Sequence, residues 1–246
     1  MIILEKIHKK FNDVKALNGI TLTCEDAKTT VIIGPSGCGK STLLRIITGL
    51  IKPDAGQVKI YNQLLTGKIL YDIRRKMGYV IQDGGLFPHL TALENITLMA
   101  KYLKWEDVKI NKRVKYLSDL THYPEQFLGK YPVELSGGQA QRVSIMRALM
   151  LDPDILLLDE PLGSLDPLIR FELQKDLKNI FSELKKNVVL VTHDLNEAVY
   201  FADKIVLIKD GQIEQEDEPG KLFANPKTSF VEKFINAQRS HINIVS

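Results

Sequence analysis

Gly34-Pro35-Ser36-Gly37-Cys38-Gly39-Lys40-Ser41 stands between the apolar run Val31-Ile32-Ile33 and the helix-like stretch Thr42-Leu43-Leu44-Arg45-Ile46-Ile47. The spacing is Gly, four residues, then Gly-Lys-Ser. Glycines at these positions let successive backbone N–H groups curl around phosphate oxygens, while Lys40 adds a positive charge and Ser41 offers a hydroxyl to magnesium. A strand before the loop and a helix after it are the context that separates a phosphate loop from an ordinary Gly-rich turn, because the helix N-terminus itself attracts anions. The whole segment is therefore the candidate phosphate site: Gly34, Pro35, Ser36, Gly37, Cys38, Gly39, Lys40, Ser41 and the following Thr42.

Three further apolar runs end in residues suited to the same chemistry. Met77-Gly78-Tyr79-Val80-Ile81 delivers Gln82, Asp154-Ile155-Leu156-Leu157-Leu158 ends in Asp159-Glu160, and Asn187-Val188-Val189-Leu190-Val191 ends in Thr192-His193. In open parallel sheets ligands sit outside the C-terminal strand ends, so these positions are expected to share one crevice with the loop. Phosphoryl transfer needs mostly positioning and charge neutralisation. Asp159 is assigned to the metal, directly or through water, together with Ser41 and Gln82. Glu160 is assigned to the attacking water as its base. Lys40, the loop amides and His193 would stabilise charge on a γ-phosphate, and Gln82 would bridge water and metal.

At 246 residues the chain can bury a full core, and one elaborated domain is the simplest partition. Its 33 Lys and Arg residues against 30 Asp and Glu give a net charge of +3, and the basic residues are scattered, which disfavours nucleic acid. The two cysteines, Cys24 and Cys38, have neither metal-ligand spacing nor the density of a secreted scaffold, which points to a reducing cytoplasm. Met1 leads straight into Ile2-Ile3-Leu4-Glu5-Lys6, so no leader is expected. The longest apolar runs, 155–158 and 188–191, fall far short of the ~20 residues that span a bilayer, so a membrane role would need a separate membrane partner.

Short alternating segments such as Ile20-Thr21-Leu22-Thr23 predict a few antiparallel strands at the start of the chain, and Gln57-Val58-Lys59-Ile60 another. From Thr91 to about Met150 the pattern is mainly helical. Thr91-Ala92-Leu93-Glu94 and Ser136-Gly137-Gly138-Gln139 both carry the capping-box signature that opens a helix. A helical subdomain over residues 88–150, inserted in an α/β core, is therefore expected. After it come helices from about 168 to 184 and from 194, strands 204–209 and 212–215 turning at Asp210-Gly211, and short helices over 219–223 and 228–236.

Taken together, these residues resemble the nucleotide-binding subunits of ABC transporters over essentially all 246 residues. The most specific string is Leu135-Ser136-Gly137-Gly138-Gln139, similar to the family's signature motif and placed shortly before Asp159-Glu160. Ser164-Leu165-Asp166 resembles the D-loop, Gln82 the Q-loop glutamine and His193 the switch histidine. Phe11 matches the aromatic position that stacks on adenine, where tyrosine is common; phenylalanine keeps the ring and loses the hydroxyl. The resemblance implies an α/β fold, a P-loop NTPase core of RecA-like kind with an N-terminal antiparallel β subdomain and the inserted helical subdomain, forming a single ABC-type ATPase domain over 1–246. It also implies ATP and magnesium as ligands, ATP hydrolysis as the reaction, and a head-to-tail dimer. In that dimer Ser136, Gly137, Gly138, Gln139 and Asp166 of one copy complete the ATP site of the other. The helix that follows Ser136 has free N–H groups and a positive dipole end, a suitable anion site for a γ-phosphate.

More narrowly, residues 74–82, 85–91 and Glu94-Asn95-Ile96 resemble bacterial importers, in particular quaternary-amine and osmoprotectant uptake ATPases. Leu103-Lys104-Trp105, residues 131–135 and residues 230–235 fit the same subgroup. That implies glycine betaine or choline as cargo, with polar amino acids as the alternative among importers. It also implies a permease docked near residues 82–95, where Leu86, Phe87 and Leu90 would line a groove. The subunit would then sit on the cytoplasmic face of the membrane and meet an extracytoplasmic binding protein only indirectly. Many relatives carry paired CBS regulatory domains after the ATPase; with the sequence stopping at Ser246, no C-terminal regulatory domain is expected. ABC ATPases of DNA repair need a long coiled-coil insertion and those of translation usually two cassettes, and neither fits. A nucleotide-binding regulator without turnover would be expected to lack an intact Glu160 or His193, and both are present.

Overall fold

A computed structural model of the chain describes residues 1–67, 69–163 and 165–239. Its elements begin with β1 (Ile2–Phe11), β2 (Val14–Cys24), β3 (Thr29–Ile33), α1 (Lys40–Ile47), β4 (Ala55–Ile60), β5 (Gln63–Leu64), α2 (Leu70–Arg75) and β6 (Met77–Val80). There follow α3 (Ala92–Tyr102), α4 (Asp107–Leu120), α5 (Gly137–Leu149), β7 (Ile155–Asp159) and α6 (Pro167–Leu184). The last described elements are β8 (Asn187–Val191), α7 (Leu195–Phe201), β9 (Lys204–Lys209), β10 (Gln212–Asp217), α8 (Pro219–Ala224) and α9 (Ser229–Arg239). Two compact units share these elements: Met1–Tyr71 with the chain from Asn187 onward, and Asp72–Lys186.

In the first unit β2-β1-β4-β5 form an antiparallel sheet in that order. Alternating residues explain its one buried face: Ile2 and Leu4 on β1 and Ile20, Leu22 and Cys24 on β2 point inward. Between Leu4 and Ile7 the alternation slips, and there the register shifts, with Lys6 at φ +48 forming the irregularity. The unit's other strands run in the order β10-β9-β3-β8, with β9, β3 and β8 parallel. All five residues of β3 and all five of β8 are buried, as the unbroken apolar runs of strands covered on both faces require. Asp210 and Gly211, at φ +47 and +73, make the two-residue hairpin that returns β9 into antiparallel β10.

In the second unit β6 and β7 are parallel neighbours, Val80 pairing with Leu158. Helices α3 and α5 both open in complete capping boxes. Thr91 Oγ1 accepts from the Glu94 amide while the Glu94 carboxylate accepts from the Thr91 amide, and Ser136 and Gln139 do the same. Arg113 on α4 donates to the Leu149 carbonyl at 2.7 Å, and Arg142 on α5 donates to the Thr121 carbonyl and to the Asp176 carboxylate. These long side chains tie α4, α5 and α6 together at their polar edges.

The helices and strands expected from residue patterns beyond Met77 are all present, with α9 running three residues past its expected end. The patterns do not mark β5 or α2. A two-residue strand exposed on both positions has no period to read, and α2 buries Ile73 alone. Among the described residues no helix is long and apolar enough to cross a membrane.

The contact between β6 and α5 is set by Gly78, where an added Cβ would stand 2.4 Å from the Ala148 carbonyl oxygen. Gly78→Ala is expected to destabilise the protein by about 1–3 kcal/mol through overpacking, seen as a lower urea midpoint. Gly67→Ala, whose Cβ would meet nothing within 4 Å, is the control; equal midpoints would contradict the close approach.

Candidate functional site

The phosphate loop leaves β3 at Ile33 and enters α1 at Lys40, with Gly39 at φ +105 as the helix N-cap. Space as well as torsion dictates its glycines. A Cβ at Gly34 would lie 2.1 Å from the Ile208 carbonyl oxygen on β9, and one at Gly39 would lie 2.3 Å from the Ala16 carbonyl oxygen on β2. The loop therefore presses against two strands while residues 35–37 face solvent. Lys40 is only 5% exposed, and its Nζ donates to the Gly34 carbonyl at 2.8 Å and the Pro35 carbonyl at 3.0 Å. A buried ammonium must be hydrogen-bonded to be tolerated. Because these acceptors are neutral, they fix the ammonium without cancelling its charge. Cys38 fills the loop's interior, and burial pushes its thiol above the ordinary range, with the Lys40 charge opposing. Ser41 and Thr42 follow in the first turn of α1.

His193 emerges beside this loop. Ile32 on β3 pairs with Val191 on β8, so Gly34 and His193 each stand two residues beyond that pair, at the same end of adjacent parallel strands. The turn holding the exposed His193 is built from short polar contacts: the buried Thr192 hydroxyl donates to Glu197 at 2.6 Å and accepts from the Asp194 amide at 3.0 Å. Asp194 then caps α7 by accepting from the Asn196 and Glu197 amides. Phe11 belongs to the antiparallel sheet, at the end of β1 opposite Val14. Its ring is 45% exposed, with Lys9 Nζ 5.4 Å from the centroid, so it is a surface ring rather than part of the core.

The second unit repeats the arrangement with other chemistry. Two residues beyond the Val80–Leu158 pair stand Gln82 and Glu160. Asp159, the last residue of β7, is 2% exposed. Glu160 adopts φ +47, a left-handed conformation that costs a residue with a Cβ about 1–3 kcal/mol and recurs at functional sites. The turn that follows closes through the Gly163 amide on the Glu160 carbonyl at 3.2 Å. It leads to Asp166, which caps α6 by accepting from the Ile169 amide at 3.1 Å. The first turns of α5 and α6 are in contact: a Cβ at Gly138 would meet Ile169 at 2.5 Å, and one at Gly137 would meet Leu165 at 3.4 Å. The structure thus brings Gly137 and Gly138 to the residues flanking Asp166, with Ser136 and Gln139 completing the cap; Ser164 lies outside the described residues.

Several residues that hold these groups carry no motif. After Gln82, residues Asp83, Gly84 and Gly85 all have positive φ, and α5 clasps them. Ser144 Oγ donates to the Gly84 carbonyl at 2.8 Å, and the Arg147 guanidinium donates to the Gly84 and Gly85 carbonyls at 2.7 and 2.8 Å. Further on, fully buried Asn95 donates to the carbonyls of Phe87, Leu90 and Thr91 and accepts from the Phe87 amide at 2.8 Å. The one available signal was polar residues at helical spacing, Gln141, Ser144 and Arg147, on a helix face otherwise meant for the core.

Among the described residues no group of three or more His, Cys, Asp or Glu side chains is placed to hold a metal by itself. The first unit offers a serine hydroxyl, Ser41, and the second a glutamine amide, Gln82, and one buried carboxylate, Asp159. Each is an oxygen donor of the kind magnesium takes, an ion that keeps several waters and binds few protein oxygens beside phosphate.

Residues 17–163 match the ABC transporter family. The carnitine transport ATP-binding protein OpuCA of Listeria monocytogenes is 45% identical over 240 residues, which are 97% of this chain and 60% of that one. This chain thus spans about three fifths of that relative's length. The glycine betaine uptake system ATP-binding protein YehX of Escherichia coli is 37% identical over 246 residues, covering 100% of this chain and 80% of the relative. A solved ATP-binding cassette, described as the dimeric structure of a post-hydrolysis state bound to ADP and Pi, superposes with a TM-score of 0.80. Its identity is 37%, over 89% of this chain and 99% of that one. The fold is that of the ABC ATPase cassettes, and the chain belongs to the ABC transporter family.

Proposed function

We propose that this chain is the ATP-hydrolysing subunit of a bacterial importer for osmoprotectants of the quaternary-amine class, such as glycine betaine or choline. The observation that carries the nucleotide reading is the Lys40 ammonium, buried in its glycine-rich loop and held there on two neutral carbonyls. The cargo class is supported by two relatives named for carnitine transport and glycine betaine uptake.

In this reading the loop amides and Lys40 bind the β- and γ-phosphates of ATP, and Phe11 stacks on the adenine. Magnesium, when bound through Ser41, Gln82 and Asp159, supplies charge neutralisation on the phosphate oxygens. Glu160 accepts the proton of the attacking water, and its fixed backbone turn orients the carboxylate. His193 donates a hydrogen bond to the γ-phosphate as charge develops there. Ser136, Gly137, Gly138, Gln139 and Asp166 serve the ATP of a second copy in a head-to-tail pair, a reading supported by the dimeric state of the solved cassette. The segment 82–95, stiffened by Arg147, Ser144 and Asn95, receives the permease, through which the subunit is held at the cytoplasmic face of the membrane. The extracytoplasmic binding protein is reached only through that permease.

Glu160→Gln is expected to keep ATP affinity within about threefold while lowering turnover by at least about 100-fold, and to accumulate an ATP-bound dimer in size-exclusion chromatography. Wild-type turnover in that variant would remove Glu160 as the base. Lys40→Ala should weaken ATP binding itself by roughly 10- to 100-fold in a nucleotide titration, the scale of a lost charge-assisted hydrogen bond; unchanged affinity would overturn the role given to the buried ammonium. For the cargo, the subunit co-purified with its permease and binding protein should show ATPase activity stimulated by glycine betaine or choline. Stimulation by polar amino acids instead would replace the quaternary-amine reading.

A further inference from the structure

We infer that Gln238, near the end of α9, is a positioning residue for His193. The inference rests on the role proposed above for that histidine. Residues 231, 235 and 238 follow one another at helical spacing along one face of α9, and Val231 and Ile235 are buried there. Where the next apolar residue of the stripe would stand, the chain has a glutamine. Its Oε1 accepts from the Leu195 amide at 2.7 Å, and its Nε2 donates to the His193 carbonyl at 2.9 Å. One side-chain amide therefore grips the backbone on both sides of Asp194.

The grip answers a local need. Leu195 is the first residue of α7, and amides in a helix's first turn have no acceptor within the helix. Asp194 itself accepts from Asn196 and Glu197, so the Leu195 N–H is satisfied from a segment more than forty residues away along the chain. With the Thr192 hydroxyl holding the Asp194 amide from the other side, the backbone that carries His193 has little freedom to rotate. The direction in which the imidazole leaves the turn is then fixed by α9 as much as by β8.

The docking of α9 does not depend on Gln238. Its entry is held by the Lys227 amide on Gln215 Oε1 at 2.8 Å, by Gln215 Nε2 on the Asn225 carbonyl at 3.0 Å and by Thr228 accepting from the Val231 amide. Val231 and Ile235 secure the middle. Loss of the amide should therefore loosen the histidine turn and leave the helix in place, which separates a positioning role from a purely structural one.

The test compares the full chain with Gln238→Leu, Gln238→Glu and His193→Ala, reading ATP turnover, KM and amide hydrogen exchange. In Gln238→Leu, kcat should fall about tenfold with KM within about twofold, and the Leu195 amide should exchange about tenfold faster while the amides of α9 between Val231 and Ile235 keep their protection. Gln238→Glu retains the acceptor for Leu195 and loses the donor to His193, so it should keep the protection at Leu195 and show an intermediate kcat. Unchanged kcat in Gln238→Leu with a deprotected Leu195 would overturn the inference, as would a fall in kcat accompanied by loss of protection throughout α9. Wild-type turnover in His193→Ala would instead overturn the role given to the histidine, a failure distinguishable because the Leu195 exchange is read independently of activity.

Discussion

A lysine ammonium withdrawn from water and held on two neutral carbonyls is the constraint on which the rest of the structure turns. To keep Lys40 there, the loop must fold back until Gly34 and Pro35 present their carbonyls inward, and this is possible only where no Cβ intervenes. Gly34 lies against β9 and Gly39 against β2, so the loop's shape is fixed by the two sheets of its unit rather than by its own turns. A loop held from outside keeps its shape without a ligand, and that preorganisation is what the phosphate role proposed for it would need.

Parallel strand pairing distributes the remaining chemistry. Ile32–Val191 places the phosphate loop next to His193 in one unit, and Val80–Leu158 places Gln82 next to Glu160 in the other. Each group stands just past the C-terminal end of its strand, and β3, β7 and β8 are buried throughout. The supports differ in kind. His193 sits on a turn closed by hydroxyl, carboxylate and amide contacts, whereas Glu160 is placed by a strained backbone angle and the loop after Gln82 by a guanidinium from α5. Burial lowers the pKa of the Arg147 guanidinium, so the carbonyls of Gly84 and Gly85 are as necessary to the arginine as it is to them.

Much of this was legible in the residues because it is written in short, local patterns. The phosphate loop is contiguous, β3, β7 and β8 announce themselves as unbroken apolar runs, and the capping boxes at Thr91 and Ser136 are four-residue signals that the helices obey. What stayed hidden is of two kinds. Elements such as β5 and α2 are too short for a period to be seen. The clasps made by Arg147, Asn95 and Gln238 join backbone carbonyls to side chains through space, and a carbonyl acceptor leaves no mark on the sequence of its own segment. Polar residues on the inward faces of helices, fully buried at Asn95 and half-buried at Arg147 and Gln238, were the trace they left.

In the proposed site the loop around Lys40 reads the β- and γ-phosphates of a nucleotide rather than its base and sugar. Calorimetric titration of the unmodified chain with magnesium-ATP and with AMP, in the same buffer, tests it most directly. AMP is expected to bind at least about 100-fold more weakly, because it cannot engage a charge-assisted contact and the loop amides together. Equal affinities for the two nucleotides would contradict it.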